Sequence, residues 1–146
     1  MKEKVLEALR TLGCEPKNLS FCYGFDYEDM HYLFLPNDND ENFLSFALPG
    51  VLKFEDENPL PTYKLMDKLN SSVKYVKATN LDGNAWLFYE RELLGNEEME
   101  EVVAAMIYSL ESARIWLYTK MQEDDDKNNE DEENKENDEN EENKEE

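Results

Sequence analysis

The sequence predicts a small α+β domain over residues 1 to about 122, followed by a disordered acidic tail over residues 123–146. In the first part, apolar residues recur at helical spacing in some segments and with a period of two in others. From Glu123 onward the chain has 15 acidic residues, 3 lysines, 6 asparagines and no apolar residue. Such a segment has no apolar surface with which to offset the conformational entropy lost on folding.

Three segments have the spacing of amphipathic helices, with apolar residues repeating every three or four positions. The first covers residues 2–12. The second follows Asn58, which is a candidate N-cap, and the third runs from about Glu97 to Gln122. We expect each helix to bury one face against a sheet.

Five segments have the alternation of strands, and short links join those that follow one another. The order of elements is therefore α-β-β-β-α-β-β-α, and the short links favour an antiparallel sheet of about five strands. The predicted strands are residues 19–25, 31–35, 43–48 with a continuation over 51–54 beyond Pro49-Gly50, 73–79, and 85–94. Asp82-Gly83 between the last two is a strong hairpin signal.

The fifth strand is apolar on both of its faces. Trp86 and Phe88 point to one side, whereas Leu87 and Tyr89 point to the other. A strand of this kind needs cover on both faces. Either helices supply all of that cover, or one face stays partly open and meets a partner, in which case these four aromatic and aliphatic side chains are the candidate partner-binding residues.

The charge of the chain is −21, of which the tail carries −12 and residues 1–122 carry −9. This balance disfavours nucleic acid as a partner, because a nucleic-acid-binding surface normally presents basic residues to the phosphates. No apolar run approaches the roughly 20 residues of a membrane span, and no secretion signal is visible at the start. Cys14 and Cys22 form no C-x-x-C motif, so we expect free thiols in a reducing cytoplasm.

The residues that carry enzyme chemistry are sparse. His31 is the single histidine, and we interpret it as a half-exposed strand residue rather than a catalytic base. A zinc site built from Cys14, Cys22 and His31 would have an unusual spacing. The acidic loop that begins at Asp38 lacks the glycine and the final glutamate of a calcium loop. We therefore expect no catalytic residue, no metal site and no cofactor.

The order of elements, with a three-strand meander ending in Phe43-Leu44-Ser45-Phe46-Ala47-Leu48-Pro49, resembles the type III secretion chaperone-like fold. Within that group the chain is most similar to the YbjN-like domains, over residues 1 to about 122. The resemblance implies a non-enzymatic, protein-binding module of the bacterial cytoplasm that often forms a dimer. An acidic, asparagine-rich tail is not typical of the family.

Two hypotheses about function follow. In the first, the domain is a chaperone-like or regulatory module that binds a polypeptide partner, or a second copy of itself as a homodimer. In the second, the chain is an acidic interaction protein whose charged tail binds basic partners or keeps a client in solution.

Overall fold

A computed structural model describes the backbone of residues 1–142 and the side chains of residues 1–136. Over this part the chain forms three helices and six strands. In chain order they are α1 (Lys2–Thr11), β1 (Lys17–Asn18), β2 (Tyr23–Tyr27), β3 (Met30–Phe34), β4 (Phe43–Lys53), α2 (Leu60–Ser72), β5 (Val76–Leu81), β6 (Asn84–Glu92) and α3 (Met99–Glu142). The predicted α+β class is confirmed.

The strands form one antiparallel sheet in the order β1-β2-β3-β4-β6-β5. Only the step from β4 to β6 joins strands that are not consecutive, because α2 and β5 lie between them in the chain. The predicted continuation of the third strand past Pro49-Gly50 is confirmed, since β4 runs through a register shift between Leu48 and Leu52.

The first half of the first predicted strand, residues 19–22, is a turn, and the sheet has one strand more than expected because β1, which precedes this turn, pairs with β2. The Leu19 N–H donates to the Cys22 carbonyl over 2.8 Å, and the Asn18 side chain accepts the Ser20 N–H over 2.8 Å. Ser20 takes a left-handed backbone conformation with φ 78°. The alternation at Leu19 and Phe21 therefore lies in a turn, and both side chains are exposed.

The starts of α2 and α3 are fixed by different residues and contacts. Pro59 occupies the N-cap position of α2, so the prediction that Asn58 caps this helix is wrong. Before α3, the Glu97 carboxylate accepts the N–H groups of Leu94 and Gly95 over 2.7 and 2.9 Å. These two backbone hydrogen bonds, Leu94 first, lower the pKa of Glu97 and fix the turn that leads out of β6.

The hydrophobic core lies between one face of the sheet and the helices. It includes Leu9 of α1, Leu69 of α2 and Leu110 of α3, which are all fully buried. The strands contribute alternate residues, among them Phe34, which is opposite Phe46. The domain is thus a two-layer structure with its helices on the same side.

The structure continues α3 as a helix to Glu142, beyond the end predicted at Gln122. From Glu123 to Glu136 no described side chain is buried, and Asp124 makes an ion pair of 3.4 Å with Lys68 of α2. Because the described side chains of this extension lie outside the hydrophobic core, we keep the prediction that the extension is disordered. Residues 143–146 of the predicted tail lie outside the described part of the chain.

Candidate functional site

Strand β6 has one face in the core and one outside it. Leu87 is fully buried and Tyr89 is 7% exposed, and they pair with Leu48 and Phe46 of β4. Neither is accessible to a partner, so their inclusion among the candidate partner-binding residues is wrong. The reason is tertiary, since the helices cover this face.

Trp86 and Phe88 lie on the opposite side of the sheet. Both are half-buried, and neither belongs to the core or to the partly buried residues packed against it. Their rings stack with centroids 6.1 Å apart and an angle of 19° between the planes. The expectation that one apolar sheet face stays partly open therefore applies to the face that carries these two rings.

A row of apolar residues crosses the sheet on this side, which we call the open face. Phe88 is opposite Ala47 of β4, and Ala47 is opposite Leu33 of β3. Leu33 and Ala47 are 9% and 0% exposed, yet both lie outside the core cluster. Because these two residues are themselves buried, the apolar surface that a partner could reach at the centre of this face is mainly that of Trp86 and Phe88.

Gly24 continues this row into β2, where it is opposite Leu33. A Cβ atom at Gly24 would lie 2.9 Å from both Leu19 Cδ1 and His31 Cε1, which is too close for a real side chain. Glycine therefore lets the Leu19 and His31 side chains close over the backbone. Leu19, which is 49% exposed, thus extends the open face toward the β1 edge.

The charges on the open face balance. Strand register places equal numbers of lysines and carboxylates there, namely Lys17, Lys53, Lys77, Asp26, Glu90 and Glu92. Lys77 and Glu90 form an ion pair of 2.5 Å, and His31 Nδ1 lies 2.8 Å from Asp26 Oδ1. The net charge of −9 on residues 1–122 is therefore carried by the remaining surface.

The edge of the sheet at β5 is closed by a side chain of α2. The Asn70 amide accepts the Ala78 N–H over 2.7 Å and donates to the Ala78 carbonyl over 3.2 Å. In this way Asn70 replaces the backbone of a neighbouring strand. A further strand cannot pair at the middle of β5, so the open face rather than this edge is the surface available to a partner.

The residues considered for catalysis, His31 and Cys14, lie in different parts of the fold. His31 is on β3 with its side chain 54% exposed, and its hydrogen-bond partner is Asp26. Cys14 is buried, and burial raises the pKa of its thiol. Among the described residues, no three His, Cys, Asp or Glu side chains are grouped so that they could hold a metal ion.

The sequence identified the two aromatic residues at the centre of the open face but missed the residues around them. Ala47 and Gly24 are too small to stand out in a hydrophobic pattern. Leu33 had a visible signal, because β3 alternates apolar residues on both faces in the same way as β6. To place Leu33 in the same row as Phe88, one must know that β3 and β6 both pair with β4, and a single sequence does not give this pairing.

Two of the solved structures that share this arrangement of helices and strands come from different organisms. One is the crystal structure of YbjN from E. coli, a candidate transcription regulator, with a TM-score of 0.61 and 15% identity over 80% of this chain and 88% of that one. The chain has a YbjN-like fold. An uncharacterized protein from Methanothermobacter thermautotrophicus shares it with a TM-score of 0.59 and 13% identity, over 84% of this chain and 96% of that one.

The YbjN-like fold confirms the resemblance seen in the sequence, and at these identities it establishes the fold alone. Searches against protein-family models and against curated proteins found no match. In the part of the chain that the structure describes, no helix is long and apolar enough to cross a bilayer.

Proposed function

We propose that this protein is a non-enzymatic protein-binding module and that its open face holds a polypeptide partner. The observation that carries the proposal is the position of Trp86 and Phe88, which are partly exposed, stacked on each other and outside the core. Aromatic residues of this kind commonly anchor protein–protein interfaces.

The open face has the dimensions of a specific interface. Its six strands span about 24 Å across, since neighbouring strands lie roughly 4.8 Å apart. The nine residues of β6 extend about 30 Å along the strand direction. A specific complex of standard size buries about 800 Å² on each partner, which a face of this size approaches.

The distribution of charge favours a partner that contacts the apolar row and is flanked by charges of both signs. The open face carries lysines and carboxylates in equal number, whereas the rest of the domain is acidic. An acidic partner is repelled by the rest of the molecule, and a neutral or mildly basic polypeptide is not.

A regulatory role is compatible with this mode of binding. E. coli YbjN is described as a candidate transcription regulator. For the present chain, a net charge of −21 disfavours direct contact with DNA, and its lysines from Lys64 to Lys77 are few. Regulation would then act through a protein contact. We place this contact in the cytoplasm, a reducing compartment in which Cys14 and Cys22 would remain free thiols.

A photo-crosslinking experiment tests the open face directly. A photoreactive phenylalanine analogue replaces Phe88 in the native host, and a matched control carries it at Glu7, an exposed position on α1. We expect a crosslinked polypeptide at position 88 that Trp86→Ala reduces severalfold. An adduct of twice the protomer mass would identify self-association through this face, and the absence of an adduct at position 88 would contradict the proposal.

A second candidate function lies in the acidic extension of α3. Between Glu123 and Glu136 its described side chains are unburied, and Asp124 already pairs with one lysine, Lys68. Such a segment can attract basic partners or keep a client in solution. Deletion of residues 123–146 separates the candidates, because binding through the open face survives the deletion and binding through the extension does not.

A further inference from the structure

The exposed residues of α3 carry no charge over about four turns of the helix, from Ala104 to Thr119. The exposed positions between Ala104 and Thr119 are, in order, Ala104, Ala105, Tyr108, Ser112, Ile115 and Thr119. In a chain of which 35% of the residues are charged, an uncharged stripe of this length on a solvent-facing surface is unexpected. Tyr108 and Ile115 are 71% and 52% exposed, so the stripe is not merely a row of small residues.

An apolar cavity lies beside the stripe. It has a volume of about 130 Å³ and is lined by Leu12, Tyr27, Ala104, Ile107, Tyr108 and Glu111. A cavity of roughly 150 Å³ accommodates a group the size of benzene, so this one fits an aliphatic side chain. Ile115, seven residues from Tyr108 in the same stripe, lies about 10 Å further along the helix axis.

We propose that a second copy of this chain docks on the stripe, with the two α3 helices antiparallel and crossing near Ser112. In this arrangement Ile115 of each copy meets the cavity beside Tyr108 of the other. The same surface thus supplies both the protruding and the receiving group, as a two-fold interface requires. The small Ser112 at the axis lets the helices approach to the usual 8–10 Å.

Electrostatics select the antiparallel orientation. Residues 123–142 contain 13 carboxylates and 2 lysines, so a parallel pair would bring two extensions of charge −11 side by side. An antiparallel pair directs them to opposite ends and also opposes the helix dipoles. Glu111, at the border of the cavity, would then face its counterpart near the axis, and removing this charge should strengthen the association.

Sedimentation velocity of the full chain over a series of concentrations tests the interface. The stripe is smaller than a standard interface, so we expect a weak dimer that forms by about 100 μM. Ile115→Asp should raise the dissociation constant at least about tenfold, and Glu111→Gln should lower it. Leu94→Asp is the matched control, because Leu94 is 85% exposed and lies away from the stripe, and it should change nothing.

Disulfide trapping tests the orientation independently of affinity. In a Cys22→Ser background, Ser112→Cys should crosslink on oxidation, because helices 8–10 Å apart bring facing Cα atoms within the 4.4–6.8 Å that a disulfide needs. Thr119→Cys should not, since an antiparallel pair separates these positions. A monomer at every concentration, a dimer indifferent to Ile115→Asp, or efficient trapping through Thr119→Cys would overturn the proposal. The proposed role of the open face does not depend on any of these results.

Discussion

Tyr32 is a single residue in which packing prevails over hydrogen bonding. It is fully buried, its ring stacks on Phe25 with centroids 5.5 Å apart, and its hydroxyl has no partner among the described residues. Burial, with a smaller effect from Glu111, raises the pKa of Tyr32 to about 12. The alternation of β3 predicted that Tyr32 and Phe34 share a face, and the structure places both in the core.

The raised pKa makes the folded state sensitive to alkali. Below pH 10, the ordinary pKa of tyrosine, the phenol is protonated in the folded and unfolded chains alike. As the pH rises toward about 12, the unfolded chain loses the proton first, so the stability falls. We expect Tyr32→Phe to unfold at a higher pH than the wild type while its stability at pH 7 is unchanged or slightly greater. Circular dichroism during an alkaline titration measures this, and coincident transitions would contradict it.

At the level of elements, the sheet is protected at β5 by the Asn70 amide, which forms two hydrogen bonds with Ala78. Exposed strand edges are common sites of aggregation, and a side chain that occupies the edge prevents a second molecule from pairing there. The contact also ties the end of α2 to the sheet, so one residue both closes an edge and positions a helix.

Asn70→Ala should destabilise the domain by about 1–3 kcal/mol, because two partly buried hydrogen bonds are lost at roughly 0.5–1.5 kcal/mol each. It should also raise light scattering on prolonged incubation, since the edge is then open. Ser71→Ala is the control, because the Ser71 hydroxyl bonds only to the Asp67 carbonyl of its own helix. Urea melts that coincide with those of the wild type would show that the edge contact contributes little.

The elements differ in how far their sequences predict them. The β5–β6 hairpin was predictable because Asp82 and Gly83 both take positive φ, as the Asp-Gly pair favours. The turn at Ser20 was not, because the alternation of apolar residues continues through it. A single sequence also could not predict which face of the sheet the helices cover. β3 and β6 are apolar on both faces, and only tertiary packing decides which face becomes the core.

On the scale of the whole molecule, charge and burial are segregated. The core lies between helices and sheet, the open face carries balanced charges, and the excess of acidic residues lies on the remaining surface and the extension of α3. Asparagine and aspartate are weak helix formers, and closely spaced carboxylates repel each other along a helix. The extension therefore receives little support from its own sequence.

Truncation after Gln122 should leave the melting temperature unchanged or slightly higher. The deletion removes a net charge of −12 and two described ion pairs, Lys68–Asp124 and Lys120–Glu123, whose side chains are 38% to 53% exposed. Exposed pairs of this kind contribute about 0–1 kcal/mol. Amide chemical shifts of residues 123–142 should be close to random coil. A melting temperature several degrees lower, about 1 kcal/mol or more of lost stability, would show that the extension packs on the domain.

The two faces of β6 can be compared at adjacent positions through the unfolding free energies of Trp86→Ala and Leu87→Ala. Leu87 is fully buried in the core, so its truncation should cost about 2–5 kcal/mol. Trp86 is partly exposed and lies outside the core, so its truncation should cost clearly less than that of Leu87: the roughly 0.5–1.5 kcal/mol of its stacking on Phe88 and the contribution of the part of its surface that is buried. Equal and large losses in urea melts would mean that both faces of the sheet are covered, which would contradict an open face that binds a partner.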